Sequence, residues 1–160
     1  MELLYNLERF IDAQNRTLGF GKSCRSVYAQ VLEEVVQGEK YSHWIWFVFP
    51  QLVGLGYSRK CAYYGISCRD ETAAYWENPI LGERSRGISS ALLNERNKSA
   101  VGILGHIDAQ NVNSCMTLLD IMSSNDVFDK VLTKYYRGDC CKKTLSILQN
   151  GVNRVLDRFL

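Results

Sequence analysis

Apolar residues recur at three- and four-residue spacing along most of the chain, the period of helices that turn one face to a core. Leu7, Phe10, Ile11 and Gln14 follow Asn6, a good N-cap, and the run stops at Gly19 and Gly21. Cys24, Val27, Tyr28, Val31, Leu32 and Val35 form a second stripe ending at Gly38, a residue suited to a helix C-terminus. Ser67 with Asp70 reads as a capping-box opening for a helix over Ala73, Ala74 and Trp76, which Asn78-Pro79 closes. Pro79 suits the first turn of the next helix, whose apolar face is Leu81, Ile88, Ala91 and Leu92. Ser99 to Leu104 adds a short turn before Gly105, and Val112, Cys115, Met116, Leu119 and Met122 mark a helix from Asp108. Ser124 caps the next, with Phe128, Val131, Leu132 and Tyr135 inward and Gly138 at its end. Asp139 opens the last, carrying Leu145, Leu148, Val152, Leu156 and Phe159. Seven or eight helices with short connections predict an all-α bundle, a single domain over residues 1–160.

One segment resists the helical period. His43-Trp44-Ile45-Trp46-Phe47-Val48-Phe49 reads either as an alternating strand or as a helix buried on most sides. No partner strand is evident, Ser42 would cap a helix here and Pro50 would end it, so helix is favoured.

Composition narrows the class. At 160 residues, 46% hydrophobic and 22% charged, the chain has the makeup of a globular domain, which excludes collagen, coiled coil and disorder. Nineteen basic against seventeen acidic residues leave +2, too little for a dedicated nucleic-acid or membrane surface. Met1 to Phe10 contains Glu2, Glu8 and Arg9 and so lacks the form of a signal peptide. The longest apolar block, Trp44 to Phe49, is far short of the roughly 18 residues of a membrane span. A cytoplasmic protein with mostly reduced thiols is expected. Cys24, Cys61, Cys68, Cys115, Cys140 and Cys141 include no Cys-x-x-Cys pair, and only His43 and His106 could assist them. Neither a structural metal nor a cofactor is expected.

Several motif fragments fail on spacing. Gly21-Lys22-Ser23 ends like a phosphate-binding loop, but the position of its first glycine holds Arg16 and no strand precedes it. Gly54-Leu55-Gly56 opens like a dinucleotide fingerprint, yet Arg59 occupies the third glycine position; a turn between helices is the better reading. Gly87-Ile88-Ser89-Ser90-Ala91 lacks the last glycine of a nucleophile elbow. The basic groups Arg59-Lys60, Arg84 with Arg86, and Lys142-Lys143 read as solvated helix faces.

The segment from Ser42 to Gly56 stands apart, because it gathers Trp44, Trp46, His43 and Gln51 between a proline and two glycines. Large aromatics are usually core, and each indole N–H needs a partner, for which His43 and Gln51 are candidates. Polar side chains beside a rigid aromatic wall also make a small-ligand pocket. At this point the sequence resembles a family known as domain of unknown function 1810, small single-domain proteins mostly from bacteria. Its hallmark is similar to Ser-His-Trp-x-Trp-Phe-x-Phe-Pro-Gln-x-x-Gly-Leu-Gly, which Ser42 to Gly56 follows at each fixed position. Asn6-Leu7-x-Arg9-Phe10, Pro79-x-Leu81-Gly82-x-Arg84 and Ser114-Cys115-Met116-Thr117-Leu118 keep the family order, so the resemblance spans about residues 6–148. It implies a compact all-α domain and carries over no catalytic residue. Asn111 and Asn113 stand where members often place a lysine and an arginine, and Cys115 replaces a serine.

The first functional expectation is a binding module in which His43, Trp44, Trp46 and Gln51 hold a small planar or nucleotide-like ligand, with Arg84 as an anion contact. The second is an enzyme, a hydrolase or transferase with His43 as general acid/base. The third is a protein-interaction domain anchored by aromatic residues.

Overall fold

Short polar turns and amphipathic stripes fold into helices that pack around one long central helix. The structure, a computed structural model, describes residues 5–19, 21 and 24–159, with side chains through residue 150. The stretch Met1 to Leu4, the Lys22-Ser23 part of the loop fragment and the side chains of Val152, Leu156 and Phe159 thus lie outside the described residues. The elements are α1 (Glu8–Asn15), β1 (Thr17–Leu18), β2 (Arg25–Ser26), α2 (Val27–Gln37), α3 (Ile45–Val48), α4 (Arg59–Tyr64), α5 (Arg69–Glu77), α6 (Pro79–Asn94), α7 (Ala100–Leu104), α8 (His106–Met122), α9 (Val127–Tyr136) and α10 (Lys142–Phe159). Among the described residues, 67% helix and 4% strand make the fold all-α, with ten helices against the seven or eight expected. The favoured helix within His43–Phe49 is present as the single turn α3, Ile45–Val48, and the polar α4, of which only Cys61 is buried, has too little apolar surface to leave a stripe. The two-residue strands pair antiparallel, Thr17 with Ser26 and Leu18 with Arg25.

Capping residues fall close to, but not always on, the sequence reading. Leu7 rather than Asn6 precedes α1. Ser26 caps α2 by accepting from the Ala29 amide at 3.1 Å, and Gly38 ends it in a left-handed conformation, φ 76°. At α5 the expected Ser67–Asp70 capping box is not formed: Cys68 holds the N-cap position without a side-chain cap, and Ser67 donates from its amide at 2.8 Å and its hydroxyl at 2.9 Å to Glu71 Oε1. Asn78 accepts from the Ile80 and Leu81 amides, with Pro79 in the first turn of α6 as expected. Asp126, not Ser124, caps α9; α8 begins at His106, and α10 begins at Lys142, three residues after Asp139.

Helix α8 is the hub, with α9, α7, α5, α10 and α3 packed around it. Cys115, Met116, Leu118 and Leu119 are buried on adjoining faces, so α8 is apolar nearly all round where it crosses the core. Helix α6 bridges α9, α2, α5 and α1 on the other side. Aromatic edges lock these layers: Phe10 meets Tyr75 edge-on at 4.9 Å and Trp76 meets Phe128 at 5.4 Å.

A buried ion pair ties the amino-terminal helix to the middle of the chain. Arg9 Nη2 lies 3.0 Å from Glu71 Oε2, with both side chains almost wholly out of solvent. The guanidinium also donates to the carbonyls of Tyr63 at 2.8 Å, Gly65 at 3.2 Å and Asn6, and it lies over the Phe10 ring. Glycine is required at position 65 by close approach, because a Cβ there would fall 2.5 Å from the Cys61 carbonyl oxygen and nearer still to Val53. Because every part of this pair is hydrogen-bonded, removing one member strands the other charge. Glu71→Ala is expected to cost about 3–5 kcal/mol in urea unfolding, whereas joint replacement Arg9→Met with Glu71→Leu recovers most of it; equal losses in both proteins would contradict this account.

Candidate functional site

The site begins with a polar residue on an apolar helix face. Gln30 and Glu34 lie four residues apart on the side of α2 that also carries Val31 and Val35 toward the core, and Glu34 is fully buried. After Gly38 the chain doubles back, with the Glu39 amide returning to the Glu34 carbonyl and the Lys40 amide donating to the Ile103 carbonyl at 2.8 Å. That reversal carries Tyr41, Ser42 and Trp44 past the Glu34 carboxylate. Oε1 accepts from the Tyr41 amide at 2.8 Å, the Ser42 amide at 2.9 Å and the Trp44 indole at 3.1 Å. Oε2 accepts from the Ser42 hydroxyl at 2.5 Å and the Gln30 amide at 3.1 Å. The Trp44 N–H is thus satisfied by Glu34, not by His43 or Gln51, and Ser42 serves this carboxylate instead of capping a helix.

Glu34 positions the hallmark segment, and the segment walls a cleft. Trp44 is 2% exposed; beyond it the single turn α3 presents Ile45, Trp46 and Phe47. Gln14 Nε2 holds this turn from behind by donating to the Phe47 carbonyl at 2.7 Å. The cleft, about 160 Å³, is lined by these aromatics together with Lys40, His43, Ser58, Lys60 and Asp108. Lys40 Nζ stands 2.7 Å from Asp108 Oδ2 and 5.2 Å from the Trp44 ring. Asp108 lies in the first turn of α8, where the helix dipole favours a carboxylate, and its other oxygen accepts from Asn111 at 3.2 Å. Gly56 packs beside the half-buried Trp46: a Cβ would lie 3.3 Å from the Trp46 ring and 2.6 Å from Cys61 Sγ. Ser58 caps α4, accepting from the Cys61 amide and donating to Cys61 Sγ at 3.0 Å. His43 and Lys60 are exposed.

The structure brings His43, Trp44 and Trp46 together in this cleft and leaves Gln51 and Arg84 outside its lining. Gln51 is fully buried, with Nε2 donating to the Phe49 carbonyl at 3.4 Å and Oε1 without a hydrogen-bond partner among the described residues. Arg84 braces α6 against α1, donating to Gln14 Oε1 at 3.1 Å and Asn15 Oδ1 at 2.7 Å, with its guanidinium 5.2 Å from the Tyr28 ring centre. Sequence reading noted Lys60 only within the solvated basic group Arg59-Lys60 and Asp108 only as the start of a helix, and it did not single out Lys40, Ser58 or the supporting Glu34. Only Glu34 left a signal there, as a carboxylate among core-facing positions of α2.

Burial alone would raise the Glu34 pKa. Hydrogen bonds from the Ser42 hydroxyl, the Tyr41 and Ser42 amides and the Trp44 indole outweigh it and hold the carboxyl at about 2, against its ordinary 4.5. Between those values the unfolded chain binds the extra proton, so stability rises with pH. Glu34 is expected to contribute roughly 3 kcal/mol above about pH 4.5 and to lose that contribution as pH falls toward about 2. Urea unfolding of the native protein and Glu34→Gln across this range checks it: the difference between the two should shrink toward acid, and parallel pH curves would contradict it.

Among the described residues, no helix is long and apolar enough to cross a membrane. No curated protein sequence matches the chain. The crystal structure of the conserved hypothetical protein Rv1873 from Mycobacterium tuberculosis is similar to it, with a TM-score of 0.80 and 36% sequence identity, over 90% of this chain and 96% of that one. The family described as Protein of unknown function (DUF1810) matches residues 4–148, which takes in the hallmark segment, the Arg9–Glu71 pair and Glu34 alike; the chain belongs to that family.

Proposed function

We propose that the protein is a binding module for a small planar ligand that carries an anionic group, held in the cleft beside Trp46. The observation that carries this reading is the gathering of Lys40, His43 and Lys60 around a half-buried indole, with Asp108 as the single lining carboxylate and already paired to Lys40. An indole face offers stacking to a ring, and the unequal charge favours an anion at its edge. About 160 Å³ is close to the space that admits one benzene-sized ring. A nucleobase or aromatic acid therefore fits with its ring inside, leaving a phosphate or carboxylate near His43 and Lys60.

An enzyme reading draws on the presence of His43 and Asp108 in one cleft, an imidazole and a carboxylate within the same lining. Against it, both Asp108 oxygens are engaged, by Lys40 and Asn111, and the Ser58 hydroxyl is turned to Cys61. The interaction-domain reading draws on Tyr57, Ile107 and Tyr41, which are 98%, 75% and 62% exposed and each stand within two residues of a lining residue.

A thermal-shift panel of nucleoside monophosphates and aromatic carboxylates tests the proposal, since a ligand of the native state raises its stability. Trp46→Ala is expected to remove the shift. His43→Ala and Lys60→Ala should each weaken binding about 5-fold, on the order of 1 kcal/mol, while changing unfolding stability by less than about 0.5 kcal/mol. A ligand whose shift survives Trp46→Ala would contradict the assignment, and turnover that disappears with His43→Ala would establish the enzyme reading.

A further inference from the structure

A second cavity opens between α8 and the turn that joins α9 to α10. It has a volume of about 350 Å³ and is lined by Gln110, Asn113, Tyr135, Tyr136, Arg137 and Asp139. It shares no lining residue with the cleft beside Trp46.

The walls are held in place by the protein itself. The Tyr135 hydroxyl donates to the Leu92 carbonyl and the Tyr136 hydroxyl to the Ala109 carbonyl, both at 2.5 Å, so each ring is pinned at its tip. The turn is fixed as firmly: the Gly138 amide donates to the Leu132 carbonyl at 3.0 Å and the Asp139 amide to the Tyr136 carbonyl at 2.9 Å. Asn113 Nδ2 then ties α8 to this turn by donating to the Asp139 carbonyl at 2.8 Å. A ligand entering here meets a preformed wall and orders little of the protein on binding.

Against that fixed frame several polar groups are left over. The Arg137 guanidinium, the Asp139 carboxylate, the Gln110 carboxamide and Asn113 Oδ1 make no hydrogen bond or ion pair with any described residue. Arg137 and Asp139 stand two residues apart and line one cavity without pairing with each other. A simple anion is repelled by Asp139 and a simple cation by Arg137, whereas a ligand that carries both charges is favoured by both.

The backbone gives an independent sign that the Arg137 side chain has a use. Arg137 ends α9 at φ 55°, in the left-handed region that suits glycine, and the other non-glycine residue found there is Asn125, of a type that tolerates it. A long cationic side chain is thus kept where glycine would relieve the backbone, and no contact within the described residues accounts for it.

We propose that this cavity binds a free α-amino acid in its zwitterionic form. Arg137 takes the α-carboxylate with its planar fork, and Asp139 takes the α-ammonium. Gln110 and Asn113 complete the hydrogen bonds of these two groups, and the ligand side chain lies against the Tyr135 and Tyr136 rings.

Titration of the ¹⁵N-labelled full chain with the standard free L-amino acids, each paired with its methyl ester and its N-acetyl form, tests this by NMR. At least one amino acid is expected to shift the Gln110, Asn113, Arg137 and Asp139 resonances saturably. Its ester and its N-acetyl form should each bind at least about 10-fold more weakly, as expected for loss of one charge-assisted contact. Arg137→Gly should weaken binding of the amino acid at least about 10-fold and erase its preference over the ester, while the urea midpoint stays level or rises; a merely structural arginine would lower that midpoint. Asp139→Asn should erase the preference over the N-acetyl form. No saturable shift from any amino acid, an ester or N-acetyl form that binds as well as its parent, undiminished binding by Arg137→Gly, or shifts centred on the Trp46 indole would overturn the proposal.

Discussion

Glu34 lies where α2 ends and the chain reverses, and five donors converge on its carboxylate. A buried charge is tolerated only when its lone pairs are filled, and here they are filled by the segment that must be placed. The backbone of Tyr41 and Ser42 cannot drift without stranding the anion, and the indole of Trp44 is drawn inward by the same atom. Local reversal at Gly38, burial of Trp44 and orientation of the cleft wall therefore have one electrostatic cause.

The far end of the hallmark segment is held differently. After Pro50 the chain runs beside Ile66, with the Ile66 amide donating to the Gln51 carbonyl at 2.8 Å and the Val53 amide returning to the Ile66 carbonyl at 2.9 Å. The Ile66 loop is in turn fixed by Arg9 through Gly65 and by Glu71 through Ser67. Gln14 reaches the middle of the segment from α1 and is itself steadied by Arg84. Between these anchors His43 and Trp46 remain at the cleft. Most of the hallmark is thus architecture, and what remains for a ligand is the face that the architecture turns outward.

This division explains what could be read from the chain. Helices such as α2, α6 and α9 bury a stripe, so their apolar spacing announced them; α3 was favoured from its flanking residues and not from its spacing, and α4 buries only Cys61 and left no stripe. At α5 the cap drifted by a residue, to Cys68, while Ser67 donates to Glu71, whose other oxygen is held by Arg9; local sequence does not record that long-range pairing. His43, Trp44 and Trp46 were legible because they lie within one four-residue stretch. Lys40, Lys60 and Asp108 come from three separate stretches, and no local pattern records that folding joins them.

The central claim is that Glu34 and Trp44 act as one unit. A double-mutant cycle pairing Glu34→Gln with Trp44→Phe, read by urea unfolding near neutral pH, measures this directly. The account predicts a coupling of about 1–3 kcal/mol, since each substitution alone leaves a buried polar partner unpaired or mismatched. Losses that add to within about 0.5 kcal/mol would show that the indole and the carboxylate are held independently, and that something other than Glu34 places the hallmark segment.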